Sequence, residues 1–162
     1  MYCFSQASSG EEILLYRTSI RKRLCFSSRP APTQPWGEIM PTAIPDDVSN
    51  YNAGRLPDGR TFLAHNPVVA SPKRRDPLVL SLSDDGFVFD RAHVLASCYT
   101  PPFSRPGQSD GCRARHAPYP LGGAPGPQYP QVVVDAARAA VYVKFANNKE
   151  DIWVKTLALG DL

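Results

Sequence analysis

The sequence predicts an all-β protein built from small antiparallel meanders, the arrangement of about two and a half four-stranded blades of a partial β-propeller. Three observations carry this reading. Runs that alternate apolar and polar residues recur along the chain, as in "PLVLSLS" and "AAVYVKFA". Turn chemistry separates them, most clearly at Pro57-Asp58-Gly59 and Asp84-Asp85-Gly86. The runs also group as three, four and three strands, at a spacing of roughly 45–60 residues. A β-sandwich is the competing all-β reading.

Taken in order, "EILLYRTS" (Glu12–Ser19) and "RLCFSS" (Arg23–Ser28) are strand-like and flank a basic turn. The following "RPAPTQPWGEIMPTAIPDD" holds too many prolines for a long helix. "AGRLPDGRTFLAHNP" reads as strand, turn, strand: Pro57 fixes its own φ, and Gly59 accepts a positive one. "PLVLSLS" and "FVFDRAHVLAS" complete the second group. The segment from Cys98 to Pro127 is rich in proline and glycine and reads as one long loop. "YPQVVVD", "AAVYVKFA" and "DIWVKTLAL" close the chain. The alanines of "DAARAAVYVKFA" suit a helix, but the alternation of Val141, Val143 and Phe145 favours a strand. Residues 1–162 are read as one domain.

At 162 residues, with 43% hydrophobic and 20% charged residues, the composition is that of a globular chain. A chain of this size buries roughly 70% of its unfolded surface. The net charge of +3 is small, and the basic runs Arg21-Lys22-Arg23 and Lys73-Arg74-Arg75 are short, so no nucleic-acid partner is expected. Cys3, Cys25, Cys98 and Cys112 form no CxxC and no metal-like spacing with His65, His93 or His116. Buried or free thiols are favoured, with a Cys98–Cys112 disulfide left open, and neither metal nor cofactor is expected. The opening "MYCFSQASSGEE" lacks the pattern of a secretory leader. No apolar run approaches the ~20 residues of a membrane span. The compartment stays open, with the cytoplasm as the default expectation.

The turn "DDGFVF" resembles the Asp-box of sialidase propellers, whose pattern is Ser-x-Asp-x-Gly-x-x-Trp/Phe. Asp84, Gly86 and Phe89 take the matching places, and Leu82 stands where the serine belongs. Around it, "LLYRTSIRKRLCFSSRPAPTQPW", "NAGRLPDGRTFLAHNP", "RDPLVLSLSDDGFVF", "GPQYPQVVVD" and "VYVKFANNKEDIWVKTLAL" follow one another as in the C-terminal half of the exo-α-sialidase-like (neuraminidase) six-bladed propellers. The resemblance implies that Arg17 and Arg75 bind the carboxylate of a terminal acidic sugar, sialic acid, and that Tyr129 is the nucleophile. A guanidinium grips a carboxylate in a bidentate, charge-assisted pair. A neutral tyrosine attacks where a carboxylate nucleophile would be repelled by the substrate anion. Arg55 and Asn66, at opposite ends of the Pro57–Gly59 hairpin, are further candidates for binding the sugar. Arg74 competes with Arg75 for register.

Each of these residues also has a structural reading. Arg17 suits a sheet rim, Arg75 a local ion pair with Asp76, and Tyr129 an edge aromatic. The polar stretch Asn147–Asp151 is expected to be a hairpin turn. The resemblance implies that the remaining arginine and the acid/base aspartate belong to an N-terminal half of the propeller, which would then be a partner of this chain. The glutamate expected to activate the tyrosine falls near Gln6; Glu11 and Glu12 are close but are placed on a turn. "DAARAA" replaces the usual Asp-Gly hairpin and is expected to weaken its turn. The chain is therefore read as a sialidase-like glycosidase fragment, incomplete or inactive as it stands. Alternatives are a non-catalytic module binding acidic carbohydrate, or a propeller polysaccharide lyase acting on uronic acids.

Overall fold

A computed structural model of the chain describes the backbone of residues 2–5 and, in full, residues 10–18, 22–46, 48–68, 75–99, 125–149 and 151–162. These residues are all-β, apart from one turn of 3-10 helix at Leu159–Asp161. The first sheet is β1 (Tyr2–Ser5), β2 (Glu12–Tyr16), β3 (Arg23–Arg29) and β4 (Met40–Pro45). The second is β5 (Asn52–Arg55), β6 (Thr61–His65), β7 (Leu78–Ser83) and β8 (Arg91–Ala96). The third is β9 (Pro127–Asp135), β10 (Ala140–Asn147) and β11 (Asp151–Ala158). Each is a meander whose sequence neighbours pair antiparallel. Two four-stranded sheets and one three-stranded sheet are partial propeller blades, as the strand spacing predicts.

The first group differs from expectation by holding four strands. Only β2 and β3 match runs read as strands from the sequence; β1 pairs with β2, and β4, inside the proline-rich stretch, joins β3 through a register shift between Arg23 and Cys25. Its prolines are accommodated because β4 is an outer strand, where a missing N–H faces no neighbour.

The middle sheet is buried on both faces. Phe62, Ala64, Leu78, Leu80 and Leu82 pack against Val141, Val143 and Phe145 of the third sheet. Leu63, from the other face of β6, joins Ile13, Leu15, Leu24 and Ile44 of the first sheet. This explains why β6 and β7 are buried at every position: a blade between two others has no solvent face.

The glycine turn after β7 keeps the function expected of an Asp-box but shifts its register. Asp85, not Asp84, supplies the acceptor: its Oδ1 takes the N–H groups of Phe87 and Val88 at 2.8 Å each and the Ser83 hydroxyl at 2.9 Å. Ser83 Oγ in turn accepts the Gly86 N–H at 2.8 Å, so the serine position belongs to Ser83. Leu82 is fully buried in the core, and Asp84 is an exposed partner of Arg91. Gly86 takes the left-handed φ of +80°. Phe87 meets Phe26 edge-on at 5.3 Å, tying this turn to the first sheet.

Three smaller expectations are corrected. "DAARAA" forms a closed turn, because Asp135 Oδ1 accepts the Arg138 N–H at 3.1 Å and Ala139 takes a positive φ in the place of glycine. Glu12 opens β2 and pairs with Arg29 at 2.5 Å. Cys25 is a buried free thiol, as favoured, whereas Cys98 is disulfide-bonded. Gln6, Arg74 and most of the 98–127 segment lie outside the described residues.

Candidate functional site

The ends of five strands converge at one end of the second and third sheets. β6 finishes at His65 opposite Val79, near the start of β7. β9 starts at Pro127, opposite Asn147 at the end of β10, and Asn147 also faces Asp151 at the start of β11. Arg75, Asn66, Gln128, Tyr129, Asn148 and Lys149 therefore meet there.

Asn66, fully buried, knits these ends together. Its amide nitrogen donates to the carbonyls of Arg75 at 3.1 Å, Pro77 at 3.0 Å and Pro127 at 3.0 Å. Gly126 is a second hub. Its N–H donates to Asn148 Oδ1 at 2.8 Å, and its carbonyl accepts the Asn148 N–H at 3.1 Å and the Gln128 amide at 3.2 Å. With φ of +118°, a Cβ here would lie 2.5 Å from the Arg75 carbonyl oxygen, so only glycine lets the two backbones approach.

This framework holds Arg75 at 8% exposure. Its guanidinium donates to Gln128 Oε1 and lies over the Tyr129 ring, 5.2 Å from the centroid. Asp76 does not pair with it; its carboxylate accepts the Cys98 N–H at 2.9 Å. Among the described residues, no carboxylate pairs with Arg75. Lys149 also lies over the Tyr129 ring, with Nζ 5.7 Å from the centroid. Burial alone would raise the phenol's pKa, but hydrogen bonding and charge from Arg75 and Lys149 outweigh it and bring Tyr129 below the ordinary tyrosine value.

The backbone at this end is unusual. Tyr129, Asn148 and Lys149 have φ of +58°, +54° and +62°, a region bulky side chains rarely adopt. Such conformations persist where the surroundings enforce them, and they concentrate at functional sites.

The structure thus brings together Arg75, Tyr129 and Asn66, three of the residues expected from the sequence. Arg17 lies at the same end of the middle sheet but is engaged elsewhere. It donates to Asn50 Oδ1 at 2.9 Å, in the connection leading into β5. Arg55 is not part of the cluster. It pairs in register with Thr61 beside the turn, and its guanidinium donates to the Gly59 carbonyl at 3.2 Å. Sequence reasoning missed Gln128, Gly126, Asn148 and Lys149. Their only signal is a run of turn-forming Asn-Asn-Lys after an alternating strand, which an ordinary hairpin would also give.

Among the described residues, no group of His, Cys, Asp or Glu could hold a metal ion. No helix among them is long and apolar enough to cross a membrane. A cleft of about 180 Å³ lined by Ile13, Leu15, Phe26, Ile44 and Phe87 lies between the first two sheets. Its apolar walls make it a packing gap in the core, unsuited to a polar ligand.

Residues 3–143 match the family of the BNR repeat-like domain, and the chain belongs to that family. The antiparallel sheets agree with this membership as partial propeller blades. Comparison with curated proteins gives no match.

Proposed function

We propose that the Arg75–Tyr129 cluster belongs to a sialidase-like glycoside hydrolase, in which residues 1–162 form the C-terminal part of the propeller. Arg75 binds the carboxylate of a terminal acidic sugar of the sialic acid class, and Tyr129 attacks its anomeric carbon. One observation carries the reading: a nearly buried guanidinium without a carboxylate partner among the described residues lies against a half-buried tyrosine. Leaving a cation so poorly compensated is costly, and a substrate carboxylate is the partner its planar fork fits.

In the reaction, Tyr129 gives up its phenolic proton to water, and its oxygen forms a bond to the anomeric carbon while the glycosidic C–O bond breaks. The leaving oxygen takes a proton from an acid, and water then displaces the tyrosine. The acid and the remaining arginines are assigned to the first half of such a propeller, the partner expected for this chain. Arg17 stands at the correct end of the middle sheet to join them once released from Asn50.

The test is release of a fluorogenic sialoside by the chain and by the longest natural protein carrying it. Release is expected to fall to background in Tyr129→Phe. Release no higher than that variant's overturns the hydrolase reading. Glycan binding that survives Tyr129→Phe but is lost in Arg75→Ala would instead mark a binding module. An unsaturated uronate product would mark a lyase.

A further inference from the structure

We propose that Lys149 is a positioning residue for Tyr129: together with Arg75 it stabilises the anionic phenolate, so that the phenolic proton is given up to water without a carboxylate base. The inference rests on the reading of Tyr129 as the group that attacks the sugar. Both cations lie over the ring, Arg75 at 5.2 Å and Lys149 at 5.7 Å from its centroid. Ionising the phenol enriches the ring in electrons, so a cation over its face favours the anion more than the neutral form.

The placement of Lys149 is built in. The reciprocal pair between Asn148 and Gly126 fixes the turn by one residue, and two successive left-handed residues, Asn148 and Lys149, then aim the lysine back across the start of β9. A turn serving only to join β10 to β11 would be served better by glycine at those angles. Tyr129 has Arg75 facing it from the residues before β7 and Lys149 from the β10–β11 turn; these are the charged groups acting on it among the described residues. The direction of its titration agrees, since the two cations outweigh burial.

The two cations differ in kind. Arg75 is buried and engaged by Gln128, so salt screens it little. Lys149 is exposed, so its effect weakens as salt rises.

The experiment is a pH titration of tyrosinate absorbance on the full chain, with Tyr129→Phe subtracted so that one of the seven tyrosines is read. The Tyr129 step is expected below the ordinary tyrosine value and to move upward in Lys149→Met. Lys149→Arg, which keeps the charge, should leave it in place, and added salt should shift wild type towards Lys149→Met. An unmoved step in Lys149→Met overturns the proposal. So does an equal upward shift in Lys149→Arg, which would make backbone position the cause. Far-ultraviolet circular dichroism confirms folding, and Lys149→Gln replaces Lys149→Met if the latter does not fold. The readout needs no sugar, so it can fail while sialoside release succeeds, and the reverse.

Discussion

The two ends of the middle and third sheets solve the same problem, reversing the chain between strands, in different ways. At one end the turns are largely self-contained. Asp85 and Ser83 satisfy the N–H groups of their own loop, Asp58 accepts the Arg60 N–H at 3.0 Å, and Gly59, Gly86 and the small Ala139 take the positive φ angles. At the other end, Asn66, Gly126 and Asn148 bind across separate connections, and tyrosine, asparagine and lysine take the positive φ angles. The first end satisfies its turn N–H groups mostly from its local sequence, with longer-range help from Arg60 on the Leu162 carbonyl and Leu159 on the Ala139 carbonyl. The second is assembled from segments far apart in the chain and keeps strained, charged side chains that a turn alone would not require. That difference, more than any single residue, singles out the second end as the candidate site.

The sharpest way to break the comparison is to add one methyl group at each end. In Gly126→Ala the new Cβ would sit 2.5 Å from the Arg75 carbonyl oxygen and 2.9 Å from its carbon, both backbone atoms that cannot move aside. A loss of about 3 kcal/mol or more is expected, with Tyr129 released from Arg75. Gly86→Ala carries the left-handed penalty of about 1–2 kcal/mol at its φ of +80°. Urea denaturation of both variants checks this. Equal losses would show that the site end is no more tightly interlocked than the turn end.

Acid should separate the ends as well. His65, the last residue of β6, is buried beside Ser81, with Nε2 3.0 Å from the hydroxyl. Burial lowers its pKa to about 4, against a smaller opposing pull from the Pro45 backbone. The unfolded chain therefore binds more protons than the folded one from the ordinary histidine value down to about 4. Stability present at neutral pH should fall through that window by about 3 kcal/mol. Asp85, at the other end, is shifted down chiefly by the Val88 N–H, so its contribution persists until lower pH. Denaturation midpoints of wild type and His65→Gln across this range test it; a glutamine variant as acid-sensitive as wild type would place the cause elsewhere.

How much of this was legible in the sequence follows the same division. Strands β5 to β11 were readable because alternation, β-branched residues and turn glycines act within a few residues of one another. Arg75 and Tyr129 were singled out by the resemblance of ordered motifs and Asn66 by its place at a hairpin end, and the structure brings the three together. β4 was hidden because prolines forbid a central strand but not an outer one. The Asp-box register slipped because Asp84 and Asp85 are adjacent and only the hydrogen bonds distinguish them. Lys149 and Gln128 were illegible because what places them is the Gly126–Asn148 pair, a contact between residues far apart in sequence.

The smallest effect asks whether strain at the two ends is of one kind. Ala139 closes the β9–β10 turn with φ of +49°, and Lys149 sits in the β10–β11 turn with φ of +62°. Replacing either with glycine removes a left-handed penalty of about 1–2 kcal/mol, while the freer unfolded chain takes back about 0.5–1 kcal/mol. Ala139→Gly and Lys149→Gly should thus each raise the unfolding midpoint slightly, by about 0.5 kcal/mol in stability. Only Lys149→Gly should also move the tyrosinate step of Tyr129 upward, because only there does the strained residue carry a charge onto another group. If both variants gain stability and neither moves Tyr129, the left-handed lysine is a turn residue like Ala139, and the two ends differ in packing alone.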